Sequence, residues 1–478
     1  MVISIQKLLS GENQSPLPVG NPSGTALSLT KLSKKSTITT HALGEEESNI
    51  TTLALGEEEF NVTTLALGEE EPKVLFGGHR DDFLTGTFGN DHLMAGMGND
   101  ILKVGAGSDI LDGGDGSDTA DFSDKTTALN ITLNSSSTSI RIGNETYQLV
   151  SIENLIGGSG NDILTGDSSA NILNGGLGND ILSGGGGDDL LIGGSGNDTL
   201  DGGSGIDSID YSDRSASITV FLNTSTNARV LIGGKAEDII RNIENITSGS
   251  GNDSLIGDLN ANILNGGAGR DTIRGGLGND TLDGGEGIDT LDYSDKAVGI
   301  TISLMDSGTS STVIIGAEID VISNFENITG GSGKDRLTGN SGANTLIGGL
   351  GDDVLIGSTG SDVLTGGVGK DLFVIDTLDN SSDRITDFVS KTDKIGLDTD
   401  SFTAFNGTIR SSNFKSLNTS QINSGKSLDN DDYLIFNNQT KTLYYDADGG
   451  GASYGAIAIA SLNINTLSFN DFILAPTF

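Results

Sequence analysis

In four stretches between residues 77 and 374 an apolar residue, nearly always Leu or Ile, recurs at every ninth position among segments rich in glycine and polar residues. Leu84, Leu93, Leu102 and Leu111 mark the first run, and Leu164, Leu173, Leu182, Leu191 and Leu200 the second. The full phrase is Gly-Gly-x-Gly-x-Asp-x-Leu-x, as at 175–183 and 275–283. A fixed period this short predicts a solenoid. The x-Leu-x segment predicts three residues of extended chain with one side chain turned inward. Glycines at the first, second and fourth positions allow the tight turn between such segments. Two phrases make one coil, because the chain must turn twice to return to the same face. Successive coils then stack their strands in parallel about 4.8 Å apart. The expected fold class is all-β, a parallel β-roll (β-solenoid).

The phrase occurs 21 times, in four uninterrupted blocks at 77–121, 157–210, 248–292 and 330–374. Between the blocks, at 122–156, 211–247 and 293–329, the pattern changes to alternating runs such as 217–222 and a second short run such as 313–315. Alternation predicts half-buried strands that cap or bridge the rolls. Ser-Ile-Glu-Asn-Leu at 151–155, Asn-Ile-Glu-Asn-Ile at 242–246 and Asn-Phe-Glu-Asn-Ile at 324–328 each precede a block. Their offsets differ by one phrase, as a quasi-one-dimensional stack permits. No chemistry is read from these connectors. From 375 to 478 the composition shifts, and residues 372–478 hold 13 of the 23 aromatics, which predicts a small β-rich packed cap.

Charge adds the chemistry. The formal net charge is −40, and 72 of 478 residues are Gly. Such a chain argues against nucleic acid and anionic membranes as partners. Without cysteine there is neither a disulfide framework nor a thiolate metal site. The amino terminus lacks a hydrophobic run of signal-peptide length, and no stretch is apolar enough for a transmembrane segment. In a parallel stack every sixth-position Asp falls into a column. Bare carboxylates at that spacing repel by about 3 kcal/mol at an effective dielectric near 20. Hard oxygen ligands from Asp, with the carbonyls of a glycine-rich turn, suit Ca²⁺ better than the smaller Mg²⁺. Calcium binding and folding are therefore expected to be one event.

These phrases resemble the haemolysin-type calcium-binding, or repeats-in-toxin (RTX), family over residues 77 to about 398. The resemblance implies a right-handed parallel β-roll with Ca²⁺ held by sixth-position Asp side chains and turn carbonyls. Carried over, the ligands are Asp91, Asp100, Asp109 and Asp118 in the first block, and Asp162, Asp180, Asp189, Asp198 and Asp207 in the second. Asp253, Asp271, Asp280 and Asp289 follow in the third, and Asp335, Asp353, Asp362 and Asp371 in the fourth. Asn171, Asn262 and Asn344 take the sixth position in the second phrase of their blocks, so those turns are expected to bind weakly or not at all. The same holds for Asp82, whose phrase has Arg80 in place of the fourth Gly; Ala120 replaces the inward Leu at the other end of that block. Two fewer sites than phrases per block gives about 13 calcium ions. The family also implies export without a cleaved leader, through a type I secretion apparatus that reads a charge-poor carboxyl end. Here Asp471 is the one charged residue from 451 to 478. A secreted or cell-surface location, with a structural or surface-binding role, is expected.

The first 75 residues follow a different rule and are expected to be largely disordered. Residues 36–71, after a leader-like 1–35, repeat with period twelve. Thr39, Thr40, Glu45 and Glu46 recur as Thr51, Thr52, Glu57 and Glu58, and again as Thr63, Thr64, Glu69 and Glu70. This Thr-Thr-x-x-x-x-Glu-Glu spacing resembles the core of plesiocin-type ω-ester graspetides, in which an ATP-grasp ligase joins Thr hydroxyls to Glu carboxylates. The implied alternative is a graspetide precursor fused to an RTX carrier, with an ester-crosslinked peptide that could inhibit serine proteases. The plain alternative is an acidic linker that duplicated. Enzymatic activity is not expected: the histidines are His41, His79 and His92, with no His-Glu-x-x-His arrangement. Asp446 to Gly449 invites an EF-hand reading, but Ile457 stands where the bidentate Glu is required. Replacing Asn171 by Asp is expected to lower the calcium midpoint or leave it unchanged. Intact-mass measurement of protein from its producing organism tests the amino-terminal reading. One water lost per ester across 36–71 is the expected result of modification, and an unmodified mass removes it.

Overall fold

The computed structural model describes residues 38–41, 62–65, 72–223, 226–405, 407–424, 431–449 and 456–475. Chain contacts divide it into two compact units, Met1–Asp118 and Thr119–Phe478. In both, a strand runs through the eighth position of the phrase, three residues long at Phe83–Thr85 and Ile163–Thr165 and extended to six at His92–Met97 and Ile181–Gly186. The phrases lie alternately in two parallel stacks, and within a block every coil is eighteen residues.

In the first unit, one stack is formed by Val74–Gly78, His92–Met97 and Ile110–Asp115. The other is formed by Val62–Leu65, Phe83–Thr85 and Ile101–Lys103. Ile38–His41 adds to Val62–Leu65 in parallel, with Thr39 opposite Thr63 and Thr40 opposite Thr64. Two Thr-Thr pairs of the period-twelve repeat are thus strands within a segment expected to be largely disordered. The remaining proposed ester partners, Thr51, Thr52, Glu45, Glu46, Glu57, Glu58, Glu69 and Glu70, lie outside the described residues.

In the second unit the register is uniform across blocks. Leu155 faces Leu173, which faces Leu191, and Leu164 faces Leu182, which faces Leu200. All are fully buried. A single apolar residue per strand suffices because the two stacks face each other and their leucines fill the space between. Strand residues on either side of the Leu point outward, which is why Ile163, Ile172 and Ile181 stay 40–49% exposed.

The connectors contain antiparallel hairpins, formed by Ala228–Ile232 with Lys235–Arg241 and by Ser310–Ile315 with Glu318–Ser323. The second strand of each hairpin also pairs in parallel with the last coil of the block before it, Ile239 opposite Thr199 and Val321 opposite Thr281. The alternating run at Ile218–Phe221 does the reverse and starts the next block by pairing with Ser254–Ile256. In the second and third connectors the two halves thus pair with different blocks, the hairpin with the block before and the first run with the block after. At the carboxyl end, Lys394–Asp398 and Phe472–Ala475 continue one stack and Asp383–Ile385 with Ile457–Leu462 the other. Aromatic pairs pack this end, including Phe402 with Tyr445 at 4.7 Å between ring centroids and Phe414 with Phe472 at 5.4 Å. No helix among the described residues is long and apolar enough to cross a membrane.

Candidate metal centre

The sixth-position side chains are all buried, from Asp82 to Asp371. One hydrogen bond holds them there. Inside a block the backbone N–H of a sixth residue donates to Oδ1 of the sixth residue one coil later, as from Asp162 to Asp180 (2.7 Å) and from Asp180 to Asp198 (2.8 Å). The same bond joins Asp82 to Asp100, Asp91 to Asp109 and Asp100 to Asp118 in the first unit. It recurs from Asn171 to Asp189, Asp189 to Asp207, Asp253 to Asp271, Asn262 to Asp280 and Asp271 to Asp289. In the fourth block it links Asp335 to Asp353, Asn344 to Asp362 and Asp353 to Asp371. Half of each carboxylate is thereby committed to the backbone, and the fate of the other oxygen sorts the turns into two kinds.

In closed turns the second residue of the phrase bonds back to the sixth. Gly158 N–H donates to Oδ2 of Asp162 (2.8 Å) and Gly331 N–H to Oδ2 of Asp335 (2.7 Å). Thr87 reaches Asp91 with both N–H and Oγ1. Asp253 receives the Ser248 hydroxyl instead. In open turns the second residue has positive φ, between 70° and 114°, and its N–H is turned away. Glycine occupies this position in all but one of them, and Ser358, at φ 70°, is the exception. The open phrases are those ending in Asp100, Asp109, Asp118, Asp180, Asp189, Asp198, Asp207, Asp271, Asp280, Asp289, Asp353, Asp362 and Asp371. The second, third and fourth blocks begin closed and finish open.

The open turns leave buried oxygens without partners. Among the described residues, Oδ2 of Asp100, Asp180, Asp189, Asp198, Asp207, Asp271, Asp280, Asp289, Asp353 and Asp362 is buried and accepts no hydrogen bond. A buried anionic oxygen in that state is costly unless a cation meets it. Burial accordingly pushes Asp100, Asp198, Asp271, Asp280 and Asp353 up to about 7, and Asp189, Asp207 and Asp289 to about 6. Neighbouring carboxylates add to the rise, for example Asp118 and Asp82 on Asp100. No three His, Cys, Asp or Glu side chains among the described residues converge on a metal position. A cation would therefore be completed by turn carbonyls, as the oxygen coordination of Ca²⁺ allows.

The Asn residues of the second phrases have a positive function. Asn171 Oδ1 accepts from Asp167 N–H (2.8 Å), while Nδ2 donates to the Glu153 carbonyl one coil earlier (2.7 Å). Asn262 bonds Asp258 and Glu244 in the same way, and Asn344 bonds Asn340 and Glu326. A carboxylate could accept the first bond but could not donate the second.

Sequence reasoning missed the acceptors that end each column. The last N–H groups have no further phrase to meet, so connectors supply the oxygen. Asp238 accepts from Asp198 and Asp320 from Asp280, while Glu244 accepts from Asp207 and Glu326 from Asp289. Asp383 and Asp393 do the same for Asp362 and Asp371. The Glu-Asn motifs, from which no chemistry was read, also present Asn154, Asn245 and Asn327 to the N–H groups of Ile172, Ile263 and Thr345. The available signal was repetition of offset: 40 residues from Asp198 to Asp238 and from Asp280 to Asp320, and 37 for both Glu pairs. First-coil carboxylates are met from the other side, by Leu129, Ile218 and Ile300 N–H on Asp162, Asp253 and Asp335.

Two facing parallel stacks with columns of half-satisfied aspartates define a cation-binding β-roll. The RTX calcium-binding nonapeptide repeat family matches at 74–102, 85–120, 151–182, 175–209, 242–273, 256–291, 324–355 and 347–374, and these repeats belong to it. No curated protein matches the chain. Among solved structures, the extracellular lipase LipA from Serratia marcescens is similar at 14% identity and a TM-score of 0.16. That match covers 66% of this chain and 40% of the lipase, an overlap too low to bear on function.

Two predictions arise here. The hydrogen bonds add a stability term to Asn171→Asp: a carboxylate oxygen would face the Glu153 carbonyl, costing about 1–3 kcal/mol. Thermal unfolding in saturating calcium should show a lower midpoint for this variant than for wild type. The second concerns pH. Aspartates at about 6–7 in the folded chain and about 3.9 unfolded mean that the metal-free fold binds the extra protons. Its stability is greatest below about 4 and is lost as pH rises through 6–7. In chelator, the β-type circular dichroism should therefore weaken from pH 5 to pH 8. In calcium titrations the midpoint should fall over the same range, since the ion competes with those protons.

Proposed function

We propose that the protein is a secreted RTX repeat protein that folds when Ca²⁺ fills its open turns outside the cell and then serves as a structural or surface-binding element. The observation that carries this reading is the buried, unpartnered Oδ2 repeated at one phase of the phrase. Ten of the open turns offer such an oxygen, and taking one ion per open turn gives about 13 ions, each of them relieving a repulsion between carboxylates. At low cytosolic calcium and neutral pH, protons would neutralise the columns only in part and metal not at all, and the chain would stay open enough to be threaded through a type I secretion apparatus. Once outside, calcium would order the blocks. The closed turns and the Asn turns would hold shape without metal and serve as the starting coils of their blocks.

Calcium titration of the purified full chain tests the proposal. The β-type circular dichroism should appear with added calcium at neutral pH and vanish with chelator. Asp180→Ala combined with Asp198→Ala should raise the midpoint several-fold, because two successive open turns of one column lose their carboxylate. A spectrum indifferent to calcium would sink the reading.

A further inference from the structure

The connector acceptors Asp238 and Asp320 sit at the phase of a sixth-position Asp. Both are 1% exposed, and both receive the backbone N–H of the preceding column member (2.8 and 2.9 Å). By that geometry each would make one more open turn. Each departs from an open turn in two respects: it lies in a hairpin strand, Lys235–Arg241 or Glu318–Ser323, and its second oxygen is occupied. The Tyr211 hydroxyl donates to Oδ2 of Asp238 and the Tyr293 hydroxyl to Oδ2 of Asp320, both at 2.8 Å.

A cation accompanies each tyrosine three residues later. The Arg214 guanidinium donates to the Gly194 carbonyl, and the Lys296 ammonium to the Gly276 carbonyl. Both carbonyls belong to second-position residues of the last open turn in that stack. In an interior turn the equivalent oxygen accepts a backbone N–H from the coil above, as Gly176 does from Ser195 (2.8 Å). Lys296 is only 5% exposed and also meets Glu318 at 2.7 Å. Burial raises Asp198, Asp238, Asp280 and Asp320, and the positive charge of Arg214 or Lys296 pulls its own pair back down. The backbone of the same residue begins the next block, since the Arg214 carbonyl accepts from Ser250 and the Lys296 carbonyl from Ser332.

We propose that Tyr211 with Arg214, and Tyr293 with Lys296, are plugs that end a calcium column by filling its last turn with the chain's own hydroxyl and cation. The plug supplies the two things an ion would supply, a partner for the buried carboxylate oxygen and positive charge on the turn carbonyl. A block can then stop without leaving a half-built metal site, and its calcium count is set by the sequence rather than by the number of aspartates in the column.

This inference rests on the calcium reading of the open turns, and the experiment separates the two. Anomalous diffraction from calcium-saturated wild-type protein should place ions in the open turns and none at Asp238 or Asp320. Native mass spectrometry should show one more bound ion in Tyr211→Phe/Arg214→Gln, one more in Tyr293→Phe/Lys296→Gln, and two more in the combined variant. An ion at Asp238 or Asp320 in wild type overturns the plug, as does an unchanged count in folded variants whose wild type binds calcium. A wild type that binds no calcium overturns the reading of the open turns and the plug with it. If a variant fails to fold, diffraction from the wild type decides alone.

Discussion

The bond from each sixth-position N–H to the carboxylate eighteen residues later is the constraint on which the rest of the fold depends. It fixes the height of the coil, because donor and acceptor must be neighbours in the stack. It also buries an anion, because the acceptor faces the turn of the coil before it. A backbone amide inside a β-roll turn cannot reach water, so it must find an acceptor within the protein. Supplying that acceptor as Asp rather than Asn or Ser leaves a second, charged oxygen in the same place. The fold and the cation site are consequences of one choice of side chain.

What the second oxygen does is decided four residues earlier by one backbone dihedral. With the second residue of the phrase in an ordinary conformation, its N–H closes onto the sixth side chain, as at Gly158 and Asp162. With positive φ, as at Gly176, the N–H turns away and Oδ2 of Asp180 is left alone. Glycine permits either state, so it does not by itself distinguish them: Gly158 is closed and Gly176 open within one block. The Asn phrases lack that ambiguity, since Asp167, Asp258 and Asn340 hold the second position and all three turns are closed.

Period explains what was legible in the chain. The β-roll, the inward leucines and the Asp column follow from a nine-residue phrase, because every coil repeats the same environment. The connectors broke that register. Asp238 and Glu244 act as column members at offsets of 40 and 37 rather than 18, so a reading tuned to the phrase passes over them. The difference from 18 is the length of chain that leaves the stack as a hairpin and returns. The Asn turns were legible as neutral but not as donors, because the Glu153 carbonyl they meet belongs to a motif with no Asp in it.

Electrostatics makes the open turns a switch and not only a scaffold. Burial and mutual repulsion both disfavour the ionised carboxylates, so they act in the same direction. In most buried carboxylate sites a nearby Arg or Lys offsets burial, and here Arg214 and Lys296 do so only at the ends of two columns. Open turns such as those of Asp180, Asp189 and Asp271 have a backbone dipole on one oxygen and no hydrogen bond on the other. Those turns can be relieved by a proton or by a metal ion, and near neutral pH the aspartates at about 6–7 hold protons only in part. Calcium, which binds the ionised form, gains relative to the proton as pH rises. A stack built this way is least stable where the proton has left and the metal has not arrived, which is the condition of a neutral compartment poor in calcium. The same acidic columns that destabilise the chain there supply the ligands that hold it together elsewhere.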